Sequence, residues 1–278
     1  MVRLCEAAGM TRQNYYKQRS VRHRESLDEQ LVLELVRRER CRQPFVGGRK
    51  LLYLIRPELR SAEVSIGRDR FFKLLDGHGL LVPRRRRSPG TTNSRHGFMV
   101  YPNVAKDCVL ECSHQLLVSD ITYLRTLDSF LYLALVMDAF SRAIVGYDCS
   151  ASLEVIGALR AVGMAIGQVP KGFHPIHHSD RGIQYCCRAY IERLQSARFG
   201  ISMTERNHCY ENSQAERLNG TLKHELGLNA TFVEGSHARR AVSEAVMIYN
   251  HYRPHQALSY QTPMEVHGVE VGCEVVVM

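Results

Sequence analysis

Near residue 105 the chain changes its period, and that change limits the folds open to it. "LLVSDITYLRTL", "SFLYLALVMDAF" and "SRAIVGYDCS" are short segments rich in Val, Ile, Leu and Tyr, separated by turn residues. They predict an antiparallel meander. "LEVIGALRAVGMAIGQV" then reads as a helix, and "GFHPIHHSD" as a fourth strand ending at Asp180. "IQYCCRAYIERLQSARFG" reads as a helix, "ISMT" as a short strand and "CYENSQAERLNGTLKHEL" as a last helix. Three strands followed by helix-strand-helix-strand-helix give an α/β fold with a mixed sheet.

The first hundred residues have a helical period instead. "LCEAAGMTRQNYYKQR" offers a turn glycine, Gly9, and Thr11 as N-cap of a second helix. This is a short helix-turn-helix shape, or equally a helical hairpin. "LDEQLVLELVRRERC" is amphipathic with acids early and arginines late, an order that suits the helix dipole. "GGRKLLYLI" and "SIGRDRFFKLLDGHGLL" add two helices. "RRRRSPGTTNSRHG" is charge and turn residues, a linker. The expected organisation is a helix-turn-helix-like segment at 1–25, a basic helical DNA-binding domain at 26–88 and a linker at 89–104. An α/β core at 105–268 and a tail at 269–278 follow.

Charge divides the chain at the same place. Residues 1–100 hold 22 Lys and Arg against 10 Asp and Glu, and residues 101–278 hold 15 against 18. A net of +12 before a net of −3 points to a polyanion-binding module joined to something else. The run Arg84, Arg85, Arg86 and Arg87 needs a counter-charge at that density, so it is a candidate DNA contact.

At 45% apolar and 23% charged residues the chain is unlike a disordered one. "MVRLCEAAGM" has no secretory core, and Asp138 breaks the longest apolar run well short of a membrane span. A soluble cytoplasmic chain with no membrane partner is expected. Nine irregularly spaced cysteines point to reduced thiols. Cys108 with Cys112, and His208 beside Cys209, suggest zinc, but no second pair with ligand spacing follows.

Three acids stand out by position. Asp120 lies inside the first strand, Asp180 ends the fourth, and a right-handed crossover can set those strands side by side. On the last helix Glu216 and Lys223 differ by only about 20°, while Leu218, Leu222 and Leu226 fall about 200–280° away. The leucines can then pack on the core while Glu216 and Lys223 point away together, towards the sheet edge. Taken singly, Asp120 reads as a strand-edge acid, Asp180 as a turn residue and Glu216 as an exposed helical acid. Their order makes the joint case. Converging carboxylates repel unless cations neutralise them, and hard oxygen ligands suit Mg²⁺. Two such ions can activate a nucleophile and stabilise the leaving oxygen in phosphoryl transfer.

"SDITYL", "LYLALVMDAFSRAIVGY", "HSDRGIQY", "CYENSQAERLNGTLKHE" and "YNHYRPHQAL" followed by "TP" resemble the transposases of bacterial insertion sequences, family three. The resemblance is to the second-frame product, of the retroviral integrase superfamily, and covers nearly the whole chain. Asp180 and Glu216 have 35 residues between them, and a basic residue follows seven after the Glu. The resemblance implies a ribonuclease-H-like mixed sheet flanked by helices. It implies Asp120, Asp180 and Glu216 as catalytic acids and ligands of two Mg²⁺, with Mn²⁺ as a substitute, and Lys223 near bound DNA. Arg181 touches DNA or braces its turn. Asn212, Asn250, Arg253 and His255 fall on motif positions, and Leu117 stands where the family commonly has Trp. The implied activity is DNA strand cleavage and strand transfer, with hydrolysis alone or an inactive DNA-binding regulator as alternatives. Implied partners are transposon-end and target DNA, further copies of the chain, and an upstream-frame DNA-binding protein; the implied location is the bacterial nucleoid.

Overall fold

The computed structural model describes Cys5, Ala7 and residues 9–83, 98–106, 108–205 and 212–268. It separates into two compact units, 1–84 and 85–278.

The first unit holds three helices: α1 (Arg12–Arg42), α2 (Gly48–Ser61) and α3 (Arg68–Gly77). Gly9 makes the expected turn at φ 62°, and Thr11 caps α1 by accepting from the Asn14 amide at 3.2 Å. The helix then runs on for 31 residues, through the expected division at residues 25 and 26. No glycine or proline lies between Thr11 and Arg42, so nothing local ends it. Its second half carries Val32, Leu35 and Val36 into a core with Leu51, Leu52, Ile55, Leu59, Phe71 and Leu75. Most residues of its first half are exposed.

The second unit is built on one mixed sheet of β1 (Leu116–Thr126), β2 (Phe130–Asp138), β3 (Ile144–Ser150), β4 (Ile176–Ser179), β5 (Gly200–Met203) and β6 (Thr231–Phe232). The order is β3-β2-β1-β4-β5, with β6 pairing the far end of β1. The first three strands form the antiparallel meander, and β4 and β5 add in parallel. This is the ribonuclease-H-like arrangement. Around it stand α4 (Val155–Ile166), α5 (Ile183–Cys186), α6 (Arg188–Ser196), α7 (Ser213–His224), α8 (Gly235–His251) and α9 (Pro263–His267). The single helix expected from "IQYCCRAYIERLQSARFG" is broken at Cys187, which serves as cap between α5 and α6.

Each sheet face has its own core because side chains alternate along a strand. Leu117, Ala134, Val136 and Val145 pack under α4 and α6 with Ala158, Ala161 and Leu194. Gly146 makes this possible, since a Cβ there would lie 2.1 Å from the Ala161 carbonyl oxygen. Leu116, Val118, Leu133 and Leu135 pack under α7 and α8 with Leu218, Leu222, Val242 and Tyr249. Leu117, where a Trp is usual, is wholly buried on the first of these faces.

The end of the expected linker belongs to this unit. Ser202 Oγ on β5 accepts the amides of Val104 and Ala105, both at 3.1 Å. No described helix is long and apolar enough to cross a membrane.

Candidate active site

Register brings the first two acids together. Val118 pairs with His178 across the parallel β1–β4 ladder. Asp120 and Asp180 each lie two residues beyond that pair, Asp120 inside β1 and Asp180 one residue past the end of β4, where the paired strands run roughly 4.8 Å apart. Asp120 shares its parity with Leu116, Val118 and Leu124, and therefore faces α7. Its Oδ2 accepts from Asn219 Nδ2 at 2.6 Å, and its Oδ1 from the Ile121 amide at 2.9 Å. Asp180 begins a turn in which its Oδ1 accepts the Gly182 amide at 2.9 Å.

Helix α7 supplies the third acid. Leu218 and Leu222 are buried as the helix-face count requires, and Leu226 is half-buried against the same core. Glu216 is exposed, while Asn219 and Lys223 lie against β1. The Lys223 ammonium sits 4.4 Å from the centroid of Tyr123, and burial lowers its pKa while the charge of Asp120 opposes that. The helix is pinned at its start, where Asn212 Nδ2 donates to the Ser119 carbonyl at 3.0 Å.

Burial, and then the charge of Asp180, push the Asp120 carboxyl up to about 7. Glu216 pushes the same way, while the bonds from Ile121 and Asn219 resist. Three mutually repelling carboxylates of this kind make a hard oxygen donor set of the type that takes Mg²⁺. The set is not drawn tight. Among the described residues no three of His, Cys, Asp and Glu close around one point. That also leaves the zinc reading of Cys108 and Cys112 without support, while His208 and Cys209 lie outside the described residues. Cys112 is disulfide-bonded, which corrects the expectation of thiols throughout; Cys5, Cys41, Cys108, Cys149, Cys186 and Cys187 are free. Pairing depends on which loops meet in space, and spacing along the chain does not carry that.

The other motif residues divide by what they touch. Arg181 Nε donates to the Thr204 carbonyl at 2.6 Å, bracing the turn against the end of β5. Asn250 gives and takes 2.9 Å bonds with the backbone of Ile144, where the β2–β3 register shifts. Buried Arg253 pairs with Glu225 at 2.8 Å and donates to His255 Nε2 at 2.8 Å. Arg84 to Arg87 lie outside the described residues.

Sequence reasoning missed Asn219, although its place three residues after Glu216 puts both on one helix face. It also missed the polar layer beneath the site. His177 Nε2 lies 2.7 Å from Ser119 Oγ and 3.0 Å from the Tyr190 hydroxyl. Burial lowers the pKa of this histidine to about 3, so it stays neutral and holds β4 to β1 without adding charge beside the acids.

An integrase core domain family matches residues 111–209, and a second family of the same description matches 197–263. The IS600 uncharacterized 31 kDa protein of Shigella sonnei is 32% identical over 267 residues, spanning 94% of this chain and 96% of that one. The transposase of IS629, also from Shigella sonnei, is 30% identical over 94% of this chain and 89% of its own length. The chain belongs to the insertion-sequence transposases of family three. Escherichia coli InsF, the transposase for insertion sequence IS3fB, is 32% identical over 64% of this chain and 62% of its own length. Among solved structures, the catalytic core of HTLV-2 integrase in complex with magnesium covers 56% of this chain and 97% of that one. It is 19% identical, at a TM-score of 0.46.

Proposed function

We propose that this chain is the DNA transposase of an insertion sequence, cutting transposon ends and joining them to target DNA through Asp120, Asp180 and Glu216. Membership of the family and the likeness to the IS629 transposase over nearly the whole chain support the activity. The observation that carries the site is the place of Asp120 and Asp180, each two residues past the Val118–His178 pair, with Asp120 raised to about 7 by burial and its neighbours.

In cleavage, a water oxygen bonds to phosphorus as the P–O3′ bond breaks, leaving a 3′-OH. In joining, that 3′-OH oxygen bonds to a target phosphorus as another P–O3′ bond breaks. Asp120, Asp180 and Glu216 would hold divalent cations, Mg²⁺ first and Mn²⁺ as substitute. Such cations supply the positive charge that the attacking and leaving oxygens need. Asn219 orients Asp120 towards α7, and Asn212 fixes the start of that helix on β1. Lys223, half-buried with its ammonium over Tyr123, offers its charge to a phosphate beside the acids. Working copies assemble on DNA as homo-oligomers, with an upstream-frame DNA-binding protein as a further partner.

The test is joining of a pre-cut 3′-OH transposon end to a plasmid with Mg²⁺. Joining by wild type, lost in Asp120→Asn, Asp180→Asn and Glu216→Gln, supports the proposal. Plasmid nicking without joining would leave a hydrolytic nuclease. DNA binding without either would leave an inactive regulator.

A further inference from the structure

Helix α7 has a third face that neither the core nor the acids use. About 100° of rotation per residue places Glu216, Asn219 and Lys223 on one side and Ala215, Leu218 and Leu222 on the core side. The remaining side, with Ser213, Gln214 and Arg217, opens onto a cavity of about 200 Å³ also lined by Arg142, Arg253 and His255.

The charges there are unbalanced. Arg253 is committed to Glu225 by the 2.8 Å ion pair. Among the described residues, Arg142 and Arg217 have no carboxylate within ion-pair distance. Asp138, the acid nearest Arg142 in the chain, is fully buried and already accepts from the amides of His114, Phe140 and Ser141 and from the Ser141 hydroxyl. Burial lowers the Arg142 pKa and the charge of Arg217 adds to that, while Tyr249 and Asp138 oppose it. Arg142 also sits at φ 66°, a left-handed position that glycine or asparagine would hold more easily. Two guanidinium groups without a carboxylate, lining one small hollow, call for an anion with several acceptor oxygens.

We infer that this cavity is a phosphate site, seating one DNA backbone phosphate between Arg142 and Arg217. Its size is below that of pockets that enclose whole drug-sized ligands, and it suits a single phosphate group. Guanidinium forks match phosphate oxygens in pairs, which a lone lysine does not. Arg217 directly follows Glu216, so a strand held here passes the acidic face at the next step around the helix. The site thereby fixes the register of the DNA while reading no base. The inference rests on the DNA-transposase reading for its choice of DNA over free phosphate.

The experiment measures binding of the full chain to two unrelated duplexes across a salt series, by fluorescence anisotropy. Arg217 is exposed on its helix, so Arg217→Gln keeps the fold. Arg217→Gln and Arg142→Gln should each weaken both duplexes alike and flatten the log K against log salt slope by about 0.9. The double variant should flatten it by the same about 0.9, because the two arginines share one phosphate. Arg240→Gln, exposed on α8 and outside the cavity, is the control for general charge. A double variant that loses twice as much, or an Arg240→Gln loss of equal size, overturns the shared site. Inorganic phosphate raising the Tm of wild type while Arg217→Gln keeps its salt slope overturns the DNA assignment in favour of free phosphate. These readouts need no catalysis, so failure of strand transfer and failure of this site remain distinguishable.

Discussion

The helical unit and the sheet unit use charge in opposite ways. In the first, the surplus cations lie on exposed helix surfaces around a core of aliphatic side chains and Phe71. In the second, the net charge is near zero, but the charges that matter are crowded. Asp120 is raised by burial and then by the charge of Asp180, Lys223 is lowered by burial, and Arg253 is buried against Glu225. Exposed charge gives an extended, salt-sensitive attraction that asks little of geometry. Crowded charge costs solvation and persists where a ligand or a reaction offsets it.

The largest expected effect tests the crowded side. Glu216→Gln keeps shape and helix propensity but removes a charge. Strand transfer should fall by orders of magnitude, with DNA affinity and Tm near wild type. Glu244→Gln, exposed on α8, is the control, and equal activity in the two would remove Glu216 from the site. Glu225 is unsuited to that role despite lying on the far side of its helix, because it balances Arg253.

The exposed side makes the next prediction. DNA affinity should reside mainly in residues 1–95, and with six or more phosphate contacts it should drop about 10³-fold between 50 and 200 mM salt. Fragment 105–278 binding as tightly, with the same slope, would erase the division drawn here.

Two stability measurements sharpen it further. Glu225→Gln leaves buried Arg253 without its carboxylate and should cost about 3 kcal/mol in urea unfolding, where exposed pairs cost well under 1. A loss below 1 kcal/mol would make this pair ordinary surface. The smallest effect is a pH dependence. The folded carboxyl of Asp120 holds its proton more tightly than an ordinary aspartate, so it supports the fold at pH below about 4. That support is lost as pH rises through about 7. Metal-free wild type should lose a few degrees of Tm between those limits relative to Asp120→Asn, and Mg²⁺ at pH 8 should restore wild type only. Parallel Tm curves for the two proteins would mean that Asp120 is not crowded.

Much of this was legible in the chain because local pattern and core agree. The alternation in "LLVSDITYLRTL" marked β1, and the leucine spacing of α7 told which way Glu216 and Lys223 would turn. Boundaries failed where punctuation was weak. The polar run from Val21 to Gln30 continued α1 without a break, and Cys187 split a helix that carried no breaker. The helix Gly235–His251 lies past the last acid, and its Val242, Ala245 and Tyr249 have a core-facing period that the chain shows as plainly as that of α7.

By itself the sequence determined the alternation of strands and helices, the charge division and the three acids that stand as candidates. Those are properties of neighbours along the chain, set by side-chain period, propensity and ionisation. The tertiary structure decided which partners the charges found. Asn219 on Asp120, Glu225 on Arg253, neutral His177 between Ser119 and Tyr190, and the cavity shared by Arg142 and Arg217 all join residues from different elements. Whether a charge is solvated, paired or left facing a cavity depends on distance in space, and that distance exists only after the sheet has brought β1, β4 and α7 together.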